Sequence, residues 1–193
     1  MDSARGDGAS LAIVILAGGE GRRIGGGKPL RVLGNRTLLD RAIERVRGWS
    51  ETIAISARDR AQVGDAQLPI LIDPPGLAGP LAGLAAAREL RCDRVLTIPC
   101  DMPFLPDDLP DRLAAVLPGH AASLASAGGR IQPVCGLWMS EALAGIEDYA
   151  ASGQFSVVGF ARTVGFATAE LELSAVDNIN TPDELVAAQT RFG

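Results

Sequence analysis

Arg22, Arg23 and Lys28 stand among six glycines in the stretch Leu16 to Leu30, LAGGEGRRIGGGKPL, a combination suited to holding a polyphosphate. Glycine lets backbone N–H groups approach an anion with no Cβ in the way, while arginine and lysine add charge and directed donors. Two acids complete such a site. Asp73 and Asp101 each follow a short apolar run, and Mg2+ typically reaches proteins through one or two carboxylates plus substrate oxygens. Nucleoside triphosphate chemistry asks for this set, with Asp101 as the metal ligand.

The glycines fit neither of two common phosphate loops. Counting from Gly19 and Gly21, the third glycine of a dinucleotide fingerprint falls on Ile24. A Walker loop needs glycine where Arg22 stands and serine or threonine where Pro29 stands. Plainer readings stand beside the chemical ones. Clustered glycine can be a mobile linker, Lys28 a solvated surface lysine, Asp101 a turn cap, and Asp73, just before Pro74, a turn former. His120 reads as incidental and the three cysteines as core packing.

Elements that would bring the acids and cations together are visible in the hydrophobic pattern. LAIVILA from Leu11 is a strand buried on both faces and is expected to be central. Leu38, Leu39, Ala42, Ile43 and Val46 recur at helical spacing after Thr37 and before Gly48. Strands are expected at 52–57, 68–73 and 94–99, helices from Leu81 and over Asp107 to Leu117. Two further strands at 121–126 and 133–138, a helix from Ser140 to about Ala150, a short helix near 155–162 and a strand at 165–173 whose alternation suggests an edge or half-exposed position follow. Thr181, Pro182 and Glu184 spell a capped final helix. This alternation implies an α/β, Rossmann-like three-layer α/β/α sandwich on a mostly parallel sheet, whose ligands sit at the strands' carboxyl ends. Loops 18–28, 73–83 and 99–103 should converge there.

Composition narrows the function classes. A length of 193 residues suits one domain, and residues 1–10 read as a loose tail before it. A formal net charge of -5 gives no broad basic face, so nucleic acid is excluded as a partner. Cys92, Cys100 and Cys135 are odd in number and lack CxxC spacing, which suits a reducing, cytoplasmic compartment. No apolar run is long enough for a membrane span.

With these residues assembled, the chain resembles the molybdenum cofactor guanylyltransferase family. The motifs are LAGGEGRRIGGGK at the front, GPLAGL at 79–84, PCDMPFLP at 99–106 and NINTPDEL at 178–185. The resemblance implies a glycosyltransferase A-like nucleotidyltransferase, with a nucleotide half over about 11–118 and a cofactor-side half over about 119–193. It also implies transfer of GMP from GTP to the terminal phosphate of molybdopterin, releasing pyrophosphate, with Mg2+ as cofactor. Molybdoenzyme apoproteins or cofactor chaperones would be further partners.

Matched position by position, the resemblance puts Leu16, Ala17, Gly18, Lys28, Ser56, Asp73, Gly79, Pro80, Leu81 and Asp101 on GTP. Arg23, Lys28 and Asp101 become catalytic, Asp101 holds the metal, and Asn178 and Asn180 lie on the pterin side. Four positions depart from the family pattern: Ile24 replaces methionine, Gly27 aspartate, Ser56 asparagine and Gln132 histidine. A cytidylyltransferase on the same cofactor tends to carry LAAG in the loop and DQP at the metal acid, so LAGG and CDMP favour guanine. A nonenzymatic delivery protein holding the cofactor is the alternative from another class.

Overall fold

The structure, a computed structural model, describes residues 9–18 and 27–192. The expectations placed on Arg22, Arg23 and Ile24, and on most of the N-terminal tail, lie outside the described residues.

Strand β1 (Leu11–Leu16) has four consecutive buried residues, and its side chains divide by parity. Ala12 and Val14 face a core shared with Leu81, Leu84, Trp138 and Phe160, while Ile13 and Ile15 face one shared with Leu39, Ile43, Leu109 and Leu113. A strand buried on both sides cannot alternate polar with apolar, which accounts for the unbroken run. It pairs in parallel with β4 (Thr52–Ala57) and β6 (Arg94–Pro99), and β5 (Ile70–Ile72) extends the sheet beyond β4. Three further strands, β7 (Ala122–Ala127), β8 (Arg130–Met139) and β9 (Phe166–Glu170), complete the order β5-β4-β1-β6-β8-β7-β9. Within this sheet only the β6–β8 and β7–β8 pairings are antiparallel among the described residues, and β2 (Val32–Leu33) with β3 (Arg36–Thr37) makes a separate small antiparallel hairpin. This is the expected Rossmann-like, mostly parallel arrangement, with helices on both faces.

Helices α1 (Leu38–Val46) and α3 (Leu109–Val116) pack on the first face; α2 (Pro80–Ala86), α4 (Ile146–Ala151) and α5 (Val157–Val164) pack on the second. Thr37 caps α1 reciprocally with Asp40. Helix α6 (Pro182–Phe192) sets Ala188 and Leu185 against Leu33, Leu38, Ile179 and Phe104.

The later half differs in detail from its sequence pattern. β8 spans ten residues, longer than the expected 133–138, because Gly128 and Gly129, both at positive φ (54° and 74°), close a tight hairpin immediately before it. The register jumps from Leu124↔Gly136 to Ala125↔Gln132, so the ladder is interrupted around Pro133, which has no N–H to offer it. Ser140–Gly145 forms 3-10 turns, and the α-helix starts only at Ile146. β9 is the edge strand expected from its alternation but stops at Glu170, before a 3-10 turn at Leu173–Val176.

Gly83, inside α2, marks how closely this helix approaches the sheet. A Cβ there would lie 2.5 Å from Leu16 Cδ2 and 2.6 Å from Ser56 Oγ. Alanine is the better helix former by about 1 kcal/mol, whereas forcing a methyl into a packed contact costs about 1–3 kcal/mol. Gly83→Ala is therefore expected to lower the thermal unfolding midpoint by a few degrees, measurable by calorimetry; a raised midpoint would show that the contact relaxes freely.

Candidate active site

The carboxyl ends of four adjacent parallel strands are held level by hydrogen bonds that continue past them. Ala17 N donates to Ser56 O (2.8 Å), Asp73 N to Ala57 O (3.1 Å) and Cys100 N to Leu16 O (3.2 Å). Loops leaving β1, β4, β5 and β6 consequently open onto one cleft of about 450 Å³, within the range of ordinary small-molecule sites. Leu16, Ala17, Gly18, Lys28, Ser56, Asp73, Gly79, Pro80, Asp101 and Asn178 line it, which brings most of the sequence-derived set together.

At one end, Lys28 forms an ion pair with Asp101 Oδ2, and its Nζ also donates to Asn180 Oδ1 at 2.7 Å. The two paired side chains are only 11% and 17% exposed, so the pair is largely shielded from water. Local backbone aims the lysine. Gly27 takes the left-handed conformation (φ 58°, ψ 32°), and Lys28, Pro29 and Leu30 follow as a single 3-10 turn with Pro29 buried. Glycine occupies this region without strain where an L-residue with a Cβ does so less readily, so Gly27 in place of aspartate exchanges a charge for a turn. Asp101 is fixed from the opposite side, since Ile179 N donates to its carbonyl at 3.0 Å.

At the other end, Ser56 Oγ donates to Asp73 Oδ1 at 3.0 Å. Partial burial pushes the Asp73 carboxyl above its usual range, opposed by the Ser56 hydrogen bond and by the nearby Arg58 guanidinium. Gly18 keeps this end open: a Cβ there would stand 3.3 Å from Asp73 Oδ2 and 3.5 Å from Arg58 N.

Two expected residues sit elsewhere. Leu81 is fully buried in the core between α2 and the sheet, so it packs beneath the cleft rather than lining it. Asn180 is outside the lining and reaches the site only through Lys28. Arg58, Pro29, Pro99, Cys100 and Val134 line the cleft and were missed in the sequence. Arg58 follows β4 directly, and its place after a strand's carboxyl end was the available signal. Cys100 is buried, and desolvation, reinforced by Asp101, pushes its thiol far above the usual range. Burial likewise pushes the Cys135 thiol up to about 12, so neither is an activated nucleophile.

The donor chemistry fits a divalent cation held in the manner of Mg2+. No cluster of three or more potential ligands occurs among the described residues, and Mg2+ does not require one, because a single carboxylate with substrate phosphates and waters suffices.

The MobA-like NTP transferase domain matches residues 13–164. A molybdenum cofactor guanylyltransferase of Cereibacter sphaeroides is 42% identical over 183 residues, covering 92% of this chain and 94% of that protein. Another, from Acidiphilium cryptum, is 38% identical over 192 residues, covering 94% and 95%. Among solved structures, molybdopterin-guanine dinucleotide biosynthesis protein A from Archaeoglobus fulgidus superposes with a TM-score of 0.78 at 21% identity, covering 94% of this chain and 98% of that one. A CMP:2-keto-3-deoxy-manno-octonic acid synthetase bound to CTP gives 0.76 at 11% identity, covering 95% and 98%. These structural likenesses speak for the fold, and the sequence matches carry the assignment: the chain belongs to the MobA-like NTP transferase family and is a nucleotidyltransferase.

Proposed function

We propose that the protein transfers GMP from GTP to the terminal phosphate of molybdopterin, giving molybdopterin guanine dinucleotide and pyrophosphate. The observation that carries this reading is the shielded pair of Lys28 and Asp101, braced from outside the lining by Asn180, in the same cleft as Ser56 and Asp73, in a chain 42% identical to a guanylyltransferase of that name.

An oxygen of the pterin phosphate attacks the α-phosphorus of GTP, a new P–O bond forms as the bond to the β-phosphate breaks, and pyrophosphate leaves. The attacking phosphate monoester is already largely ionised at neutral pH, so no side chain needs to remove a proton. Catalysis is then alignment and charge neutralisation. Lys28 gives two of its three donors to Asp101 and Asn180 and meets a phosphate oxygen with the third; Arg23 is proposed to contact the phosphates as well. Asp101 would hold Mg2+, which when bound supplies Lewis-acid stabilisation of the phosphate oxygens. Leu16, Ala17, Gly18, Gly79 and Pro80 form the nucleotide's walls, Ser56 and Asp73 its opposite polar end, and Asn178 faces the second substrate. The three free cysteines agree with a reducing, cytoplasmic setting, and no helix among the described residues is long and apolar enough to cross a membrane.

Base choice follows from Gly18. The cytidylyl branch tends to carry alanine at the matching place, and a methyl there would press on Asp73 Oδ2 at 3.3 Å. Gly18 leaves that room to the larger purine.

Three measurements test this reading. Purified protein with Mg2+, molybdopterin and each of GTP, CTP, ATP and UTP should release pyrophosphate fastest with GTP; a preference for CTP would overturn the base assignment, and binding without turnover would favour a delivery protein. Asp101→Ala should lower kcat about 100- to 1,000-fold, the scale of losing one preorganised charge-stabilising group, and Gly18→Ala should lower kcat/KM for GTP about tenfold, the scale of one methyl in a binding pocket.

Asp73→Asn separates stability from binding. With the folded-state value raised above the unfolded one, ionising Asp73 weakens the folded state as pH rises through the folded value, and the effect is absent below the ordinary value of about 4. The variant should match or exceed the parent in thermal stability at pH 7, lose any such advantage below about pH 4, and bind GTP more weakly. A variant less stable than the parent at pH 7 would show that the Ser56 contact, rather than desolvation, dominates.

A further inference from the structure

The capping box of α6 makes one more contact than a cap requires. Thr181 Oγ1 accepts from Glu184 N (3.2 Å), and Glu184 Oε2 accepts from Thr181 N (2.9 Å), which satisfies the reciprocal pattern. The same Oε2 also accepts from Asn180 N at 2.6 Å, one residue before the cap. Asn180 in turn accepts from Lys28 Nζ through its side chain at 2.7 Å. We propose that Glu184 is a positioning residue for Lys28: by fixing the Asn180 backbone it holds the Asn180 side chain where it keeps the lysine in the cleft.

This inference rests on the nucleotidyl-transfer reading above. Lysine is a point charge on a four-carbon stem with many rotamers, so its usefulness depends on what restrains it. Asp101 restrains it from one side, and Asn180 is the second anchor. Asn180 is itself bounded by Ile179, buried at 2% exposure and donating to the Asp101 carbonyl, and by Glu184. The segment is thus pinned to the metal acid at one residue and to the last helix at the next. The Asn180 N–H, ahead of the contacts from Thr181, holds the Glu184 carboxyl below its usual range, so it is ionised at neutral pH and also lies in the field of Lys28. Packing of Ala188 and Leu185 with Leu33 and Leu38 seats α6 against the hairpin that follows Lys28, so the helix that carries Glu184 and the loop that carries Lys28 share one base.

The test compares Glu184→Ala, Glu184→Gln and Thr181→Ala in the full chain, with GTP, Mg2+ and molybdopterin. Both alanine variants lose part of the helix cap and should fall in thermal midpoint by a similar few degrees. Glu184→Ala should lower kcat about 10- to 100-fold, the scale of misplacing a catalytic group by around 1 Å, with a smaller change in KM. Thr181→Ala, which leaves the Asn180 contact in place, should stay close to the parent, and Glu184→Gln, whose amide oxygen accepts from the same N–H groups, should recover most of the activity. Equal losses in the two alanine variants, or no recovery in Glu184→Gln, would overturn the proposal. A readout without turnover accompanies these: the rate at which acetic anhydride acylates the Lys28 amine, followed by mass spectrometry, should rise in Glu184→Ala and not in Thr181→Ala. If even the parent releases no pyrophosphate, the nucleotidyl-transfer reading fails, while the acylation rates still decide whether Glu184 positions Lys28.

Discussion

The shielded ion pair between Lys28 and Asp101 is the constraint around which this molecule is arranged. Two opposite charges removed from water are worth little unless their remaining hydrogen-bonding capacity is met and their geometry is held. Here the holding is distributed. Gly27 turns the chain ahead of Lys28, Pro29 buries itself behind it, and β6 delivers Asp101 at its carboxyl end. Asn180 Oδ1 accepts a further hydrogen bond from the lysine, and Ile179 N donates to the Asp101 carbonyl. Residues more than 150 positions apart in the chain therefore meet at one ammonium group, and the C-terminal helix becomes part of the site even though only its leading loop touches it.

The sheet supplies the rest of the precision. Parallel strands β5, β4, β1 and β6 end level because the ladder continues into Ala17, Asp73 and Cys100, so four loops from distant sequence share one rim. The second face of the sheet must then come close, and small residues allow it. Gly83 in α2 lets the helix approach Leu16 and Ser56 within contact distance, and Gly18 leaves space beside Asp73. Trp138, Phe160 and Tyr149 fill the same face further from the cleft, with ring centroids 6.0 and 5.6 Å apart.

Much of this was legible in the sequence because it follows from periodicity. The unbroken run at Leu11 signalled a doubly buried strand, the three- and four-residue spacing after Thr37 signalled α1, and Thr181 with Glu184 signalled the last cap. Acids after apolar runs indicated Asp73 and Asp101 at a sheet's carboxyl edge, which is where they stand. What could not be read depends on tertiary geometry. The family resemblance put Leu81 on the nucleotide with Gly79 and Pro80, yet helical rotation turns it into the core. Arg58 had only its place after a strand's carboxyl end to mark it, and its relevance comes from the neighbouring strand that places Asp73 beside it. The length of β8 was hidden by Pro133, which argues against a strand until the ladder's interruption there is seen.

The charge balance of the chain acquires a sense at this site. A protein of net charge -5 repels polyanions at long range, so affinity for a triphosphate has to be generated locally. A lysine left alone in the cleft would attract any anion, whereas one bound to a carboxylate presents almost no net charge until a ligand comes within hydrogen-bond range. Beyond a Debye length of about 8 Å at physiological ionic strength the pair is invisible, and within it direction matters as much as charge. Asn180 contributes to that direction while adding no charge, which is why a neutral amide serves at this position: a second carboxylate would hold the lysine more tightly and oppose the phosphate, and an apolar residue would let the lysine turn away.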